Sequence, residues 1–227
     1  MLIKTQGIVF NYIKYGETSI ICRIYTREKG LKSFLINSAR TAKGKGKIAL
    51  YQPLNLLDLV IYDRNDDKLT RINEARLDYH YQSLPFDPVK RGVGLFLSEI
   101  LFKIIKQDEE PEQVHDFIKS SLCILDQTEI DINNFHLKFL IKLSPFLGLN
   151  MESSDVLAEE METFYDLKLN KPVLDAFEQL KDSDYGKECK INNSIRRELL
   201  HVLIDFYRYH LDIGELKSLP VLIELYL

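Results

Sequence analysis

Between Arg23 and Lys47 the chain places eight basic residues against one acid, Glu28, and closes the stretch with the run Ala39-Arg40-Thr41-Ala42-Lys43-Gly44-Lys45-Gly46-Lys47. Cations at that density displace counterions from a phosphate backbone, so the chemistry on offer is polyanion binding, most simply of nucleic acid. A Lys/Gly run is also ordinary as a solvated loop, and both readings stand at this point. In Ser19-Ile20-Ile21-Cys22-Arg23-Ile24-Tyr25, strand alternation sends Ile20, Cys22 and Ile24 to one side and Arg23 and Tyr25 to the other. A cation and a ring then share the face away from the core, the pairing used by sequence-tolerant binders of single strands. Tyr25 is read either as a base-stacking ring or as a packed tyrosine. The candidate DNA-binding set is Arg23, Tyr25, Arg27, Lys29, Arg40, Lys43, Lys45 and Lys47, with Lys14, Lys32, Arg64, Lys68 and Arg76 available to extend it.

Other chemistries find less support. Gly44-Lys45-Gly46-Lys47 lacks the GxxxxGK[ST] spacing of a phosphate loop, and Ile48 stands where Ser or Thr is needed. His80, His115, His136, His201 and His210 show no metal-ligand spacing, and no metal or other cofactor is expected. The acidic pairs Asp66-Asp67, Glu109-Glu110 and Glu159-Glu160 are expected in turns or irregular segments, solvated, which leaves a two-metal nuclease as a weak third reading. No Ser, Thr or Cys has a neighbouring base or a nucleophile elbow, so the chain is not expected to be an enzyme. Cys22, Cys123 and Cys189 are odd in number and widely spaced, and are read as reduced thiols.

The elements that must position the basic stretch are strands. From Ile3 to about Leu77 the text is β-branched and aromatic with frequent turn signals. Strands are predicted near Ile3–Lys14, Thr18–Thr26, Leu31–Asn37, Leu54–Tyr62 and Leu69–Leu77. Two connections are of hairpin length, the long basic one runs from Ser38 to Pro53, and a polar turn spans residues 63–67. Five strands with one long connection after the third fit a Greek-key barrel of the OB type, with an SH3-like barrel as the competitor.

After Tyr81 the period becomes helical, with Asp87 as cap and Pro88 at the first helical position. Further helices are predicted to open at Pro111, at Asp131 as a cap, at Lys171-Pro172, at Asn193 or Ser194, and at Ser218-Leu219-Pro220. Residues Met151 to Asn170 are acidic and weakly patterned and are expected to be irregular. The apolar stretch 199–211 reads as a central bundle helix or, less simply, as a groove for a partner's acidic, hydrophobic tail. The fold class is thus α+β multidomain: an OB-type β-barrel over residues 1–82, then an all-α helical domain over 83–227. Charge divides the same way, with 14 Lys and Arg against 8 Asp and Glu in the first part (+6) and 16 against 26 in the second (−10). No stretch is long and apolar enough for a membrane span and no signal peptide is seen, so a cytoplasmic location is expected.

Read in order, several fragments resemble the RecO family of bacterial recombination mediators. They are Gly7-Ile8-Val9, the turns Tyr15-Gly16-Glu17 and Tyr25-Thr26-Arg27-Glu28-Lys29-Gly30, the Arg40 to Lys47 run with Gln52-Pro53, and Leu69-Thr70-Arg71-Ile72-Asn73-Glu74-Ala75. In the helical half they are Phe146-Leu147-Gly148, Phe206-Tyr207-Arg208-Tyr209-His210-Leu211 and Leu216-Lys217-Ser218-Leu219. The resemblance implies binding of single- and double-stranded DNA, annealing of complementary strands, and work with RecR. It also implies docking of the acidic C-terminal tail of the single-strand-binding protein, help to RecA in loading, and a link to RecF at the nucleoid. Many members carry a four-cysteine zinc module, whereas here residues 148–189 hold only Cys189, so zinc is expected to be absent. The alternative function is a protein-interaction adaptor whose basic barrel binds acidic tails or RNA.

Overall fold

Gly7 has no room for a side chain: a Cβ there would lie 2.6 Å from Ile24 Cγ2 and 2.7 Å from Leu59 Cδ1. It sits in β1 (Leu2–Tyr15), the long strand from which the sheet is built outward, in a computed structural model that describes residues 1–41, 45–62, 69–105, 111–149 and 151–226. On one side β1 pairs antiparallel with β2 (Ser19–Thr26), which pairs with β3 (Gly30–Ile36); on the other it pairs with β4 (Leu56–Tyr62), which pairs with β5 (Ile72–Leu77). The order is therefore β3-β2-β1-β4-β5. The ladder does not run continuously around a barrel. The remaining seam is spanned by one parallel bridge, Phe34 to Thr70, with Leu35 N donating to Thr70 O at 2.8 Å and Thr70 N to Ser33 O at 3.2 Å. A first strand paired with both the second and the fourth, and a third strand meeting the approach to the fifth in parallel, make this the expected OB-type sheet. Its interior is filled by alternate residues including Val9, Cys22, Ile24, Phe34, Leu57, Leu59 and Ile61.

The predicted strand bounds fall within three residues of the observed ones, while the long connection contains structure that composition concealed. Residues Lys45–Leu50 form a short helix, α1. Its last carbonyls are satisfied by Asn55 Nδ2, which donates to Ala49 O and Leu50 O at 2.9 Å each. Ala39 and Tyr51, on either side of it, are buried in the barrel core.

The remaining helices are α2 (Pro88–Ile104), α3 (Pro111–Gln127), α4 (Phe135–Leu143), α5 (Ser154–Tyr165), α6 (Lys171–Lys181), α7 (Asn193–Leu211) and α8 (Leu219–Tyr226). By compactness the chain divides into residues 1–81 with 98–122, and residues 82–97 with 123–227. Asp87 caps α2 as expected, accepting from Val89 N at 2.8 Å and Lys90 N at 2.9 Å. Just before it, buried Asp126 accepts from the backbone N–H groups of Gln82, Ser83 and Leu84 at 2.9, 2.8 and 2.7 Å, so this stretch is pinned.

Three readings of the helical half are corrected. Asp131 is not the cap of α4: it stands at the N-cap position of a 3-10 turn, Ile132–Asn134, ahead of that helix, with a left-handed backbone (φ 56°), no side-chain cap hydrogen bond, and its carboxylate 2.7 Å from buried Lys138. The cap of α7 is Asn192, one residue ahead of the predicted pair, its Oδ1 accepting from Ile195 N at 2.9 Å. Residues 151–170 are not irregular, because α5 forms with Ser153 as its cap. Only Leu157 and Met161 of that helix are buried, too narrow a stripe to show as a period. The α7 stretch is the central helix expected, with Leu199, Leu200, Val202, Leu203, Ile204, Phe206 and Tyr207 buried and Tyr207 Oη donating to Leu140 O at 2.7 Å. No helix among the described residues is long and apolar enough to cross a membrane.

Candidate nucleic-acid interface

The eight sequence-predicted residues separate into distinct environments. Arg23 is exposed on β2, opposite Asn11 of β1 and Ser33 of β3, its guanidinium 5.3 Å from the Phe102 ring centre. That contact holds the cation in place without neutralising it. Lys29 is exposed in the β2–β3 turn, and Lys47 is exposed on α1. Arg40 donates from Nη2 to Gly16 O at 2.6 Å and Glu17 O at 2.5 Å, tying the β1–β2 turn to the segment after β3. Lys43 lies outside the described residues, as do the side chain of Lys45 and the extending residues Arg64 and Lys68.

Two members are not where a phosphate or base can use them. Tyr25 is fully buried. Its ring stacks on Phe10 (centroids 5.4 Å, interplanar 7°) and on His115 (6.4 Å), and its hydroxyl donates to Pro111 O at 3.3 Å. Tyr25 does face away from the barrel interior, as strand alternation predicts, but residues from 98–122, Pro111 and His115 among them, cover that part of the outer face. Base stacking on Tyr25 is thereby ruled out in this conformation. Arg27 forks onto Asp116, Nε to Oδ1 and Nη2 to Oδ2 at 2.8 Å each, and also pairs with Glu112. The hydrogen bonds to Asp116 raise the guanidinium's pKa further above its ordinary value, and the same bonds hold the Asp116 carboxyl down at about 2. With acids at that distance, Arg27 has little positive potential left for a polyanion.

The sequence reading missed Tyr15, whose side chain is half exposed (51%) at the end of β1, next to exposed Ile13 and Lys14. Strict alternation from Val9, which is in the core, would put residues 11, 13 and 15 inside. The register shift between Val9 and Asn11 leaves Phe10 as an extra residue, so Asn11, Ile13 and Tyr15 pair with Arg23, Ile21 and Ser19 on the outer face. Tyr15 thus lies on the same face as Arg23, ~13 Å further along the strand at ~3.3 Å per residue. The signal was weak: an unbroken apolar run Ile8-Val9-Phe10, longer than alternation permits.

The remaining basic residues of the sheet sort by partner. Arg76 is held by Asp58 (Nη2 to Oδ2, 2.9 Å). A groove of about 820 Å³ runs across β1, β4 and β5, where Lys4, Arg27 and Arg76 face Glu28, Asp58 and Glu74. Its charges balance, which disfavours it as a phosphate track. The candidate interface is instead the outer face of β1 and β2, where Tyr15 and Arg23 are exposed; Lys14 is exposed beside Tyr15 in the chain, and Lys47 is exposed on α1. No cluster of three or more potential metal ligands occurs among the described residues. Of the acidic pairs, only Glu159-Glu160 is described; it lies on α5, not in an irregular segment, and Glu160 pairs with His210 at 2.8 Å.

Residues 1–80 match the family model described as recombination protein O N terminal. Over its full length the chain is 35% identical to a Bacteroides fragilis protein, 34% to one from Phocaeicola vulgatus and 32% to one from Flavobacterium johnsoniae, each named DNA repair protein RecO. Each match covers 100% of both chains.

Proposed function

The chain belongs to the RecO family of DNA repair and recombination proteins, and from that premise we propose that it binds single- and double-stranded DNA through the outer face of β1 and β2 in its OB-type barrel and anneals complementary strands. The observation that carries this reading is the shared outer face of Arg23 and Tyr15, a cation with no carboxylate partner among the described residues and an exposed ring on the adjacent strand. Such a face stacks any base while Arg23, with exposed Lys14 beside Tyr15 in the chain and exposed Lys47 on α1, neutralises phosphates. Two strands that repel each other come together once these cations have replaced their counterions. The protein acts by binding and not by catalysis. Its proposed partners are RecR and the acidic tail of the single-strand-binding protein, and the proposed outcome, in the cytoplasm at the nucleoid, is RecA loading in concert with RecF.

The test is annealing of two complementary, mixed-sequence strands by the full chain, without metal or nucleotide. The reading expects acceleration at low salt that fades as salt rises, with both strands recovered intact when Mg²⁺ is added. Absence of acceleration at low salt, or strand cleavage with Mg²⁺, would overturn it.

A further inference from the structure

An apolar cluster on the helical unit stands open to solvent where α5 ends beside α7. Phe164, Tyr165, Leu167 and Tyr209 are 42%, 39%, 40% and 49% exposed. Phe164 stacks on Tyr209 with centroids 3.8 Å apart, and Tyr165 meets the same ring edge-on at 6.3 Å. The cluster is held in place: Tyr165 Oη donates to Asp205 O at 2.7 Å. The left-handed cap Asp166 (φ 50°) donates back to Glu162 O at 3.1 Å, and Leu167 N to Met161 O at 3.2 Å. Exposed rings this close together are not needed for the core, which is filled on this side by Leu157 and Met161.

The charge around the rings is negative on balance. α5 contains Asp155, Glu159, Glu160 and Glu162 with no Lys or Arg, and Asp166 follows it. The basic groups described nearby have partners: Arg208 pairs with Asp205 at 2.9 Å and Lys168 with Glu162 at 3.2 Å, while the His210 ring nitrogen Nε2 is hydrogen-bonded to Glu160 at 2.8 Å. Glu159 and Asp166 are exposed and make no ion pair among the described residues. A phosphate backbone or an acidic tail is repelled here. A guanidinium is attracted twice, by the ring faces and by the carboxylates.

We propose that this surface docks a segment of another protein that carries Arg or Lys next to a large apolar residue. The apolar residue covers Phe164 and Leu167 while the cation lies against Tyr209 and reaches Asp166. Rings already fixed in place lose little entropy on binding, which suits them to anchor such a segment. This function is separate from the DNA face of the barrel and uses none of its residues.

The test uses the full chain and a fluorescein-labelled synthetic peptide of alternating Arg and Leu, with a Glu-Leu peptide as control, read by anisotropy. Binding of the Arg peptide alone is expected. Phe164→Ser with Tyr209→Ser, which leaves the charge unchanged, is expected to weaken it tenfold or more, and Asp166→Asn, which removes the charge at the left-handed cap, to weaken it severalfold. Circular dichroism melts of both variants confirm the fold, and the second variant touches no ring. If only the charge variant loses affinity, the attraction is generic and the proposal fails. It fails also if neither variant loses affinity, or if the ring variant instead loses affinity for single-stranded DNA.

Discussion

Arg27 and Asp116 form a two-bonded fork, Nε to Oδ1 and Nη2 to Oδ2 at 2.8 Å each, across 89 positions of sequence. An arginine that reads in sequence as part of a phosphate-binding run is thereby committed to fixing the start of α3 on the sheet. Arg27→Ala is expected to lower the thermal midpoint while leaving affinity for single-stranded DNA at the parent value. A loss of affinity as large as that of Arg23→Ala would return Arg27 to the binding face.

Tyr25 and Tyr15 should exchange the roles that alternation alone suggests. Tyr25→Ala removes a fully buried ring stacked on Phe10 and should cost about 3–5 kcal/mol of stability. Tyr15→Ala should leave the melt unchanged and cost about 1–3 kcal/mol of single-strand affinity, the scale of one base-stacking contact. Urea titrations and anisotropy on both variants separate the two. Equal affinity for the parent and Tyr15→Ala would remove Tyr15 from the interface.

The barrel was legible because its strands are bounded by turn residues and its core by β-branched alternation, so Ile20, Cys22 and Ile24 fell inside as read. What escaped was everything set by a partner distant in sequence. Nothing near Tyr25 announces that Pro111 and His115 will cover it, and nothing near Arg27 announces Asp116. The bulge at Phe10 reversed the parity of Tyr15 by one inserted residue, a change invisible to a period-two pattern. In the helical half, α5 was hidden by having only Leu157 and Met161 to bury, and α1 by the glycines in its basic run.

Acid should destabilise the helical unit through His136. Burial, aided by the Arg196 charge, pushes its imidazole down to about 3, with the ring edge-on to Phe96 at 6.2 Å. The unfolded chain takes up a proton near 6.5 that the folded chain refuses until about 3. Stability from this group is therefore complete above 6.5 and is lost progressively as pH falls through that window, by up to about 1.4 kcal/mol per pH unit. Melts between pH 7 and 4 should show a shallower decline in His136→Phe than in the parent. Identical slopes would contradict this assignment.

Lys138 is buried with its ammonium 2.7 Å from Asp131 and donating to Asp184 O at 2.9 Å and Lys187 O at 2.6 Å. Lys138→Met strands a buried carboxylate and two carbonyls and should cost about 3–5 kcal/mol. In a double-mutant cycle with Asp131→Asn the pair should cost less than the sum of its members. Strict additivity would mean that the two groups do not sense each other.

The most direct measurement is the salt dependence of single-strand binding by the full chain, compared with a variant carrying both Arg23→Ala and Lys47→Ala. The account predicts a log–log slope of roughly −2 to −4 for the parent, and a slope shallower by about 1.4 in the variant, since each phosphate contact contributes about 0.7. No binding at low salt, or a slope unchanged when both cations are removed, would contradict the assignment of this face to DNA.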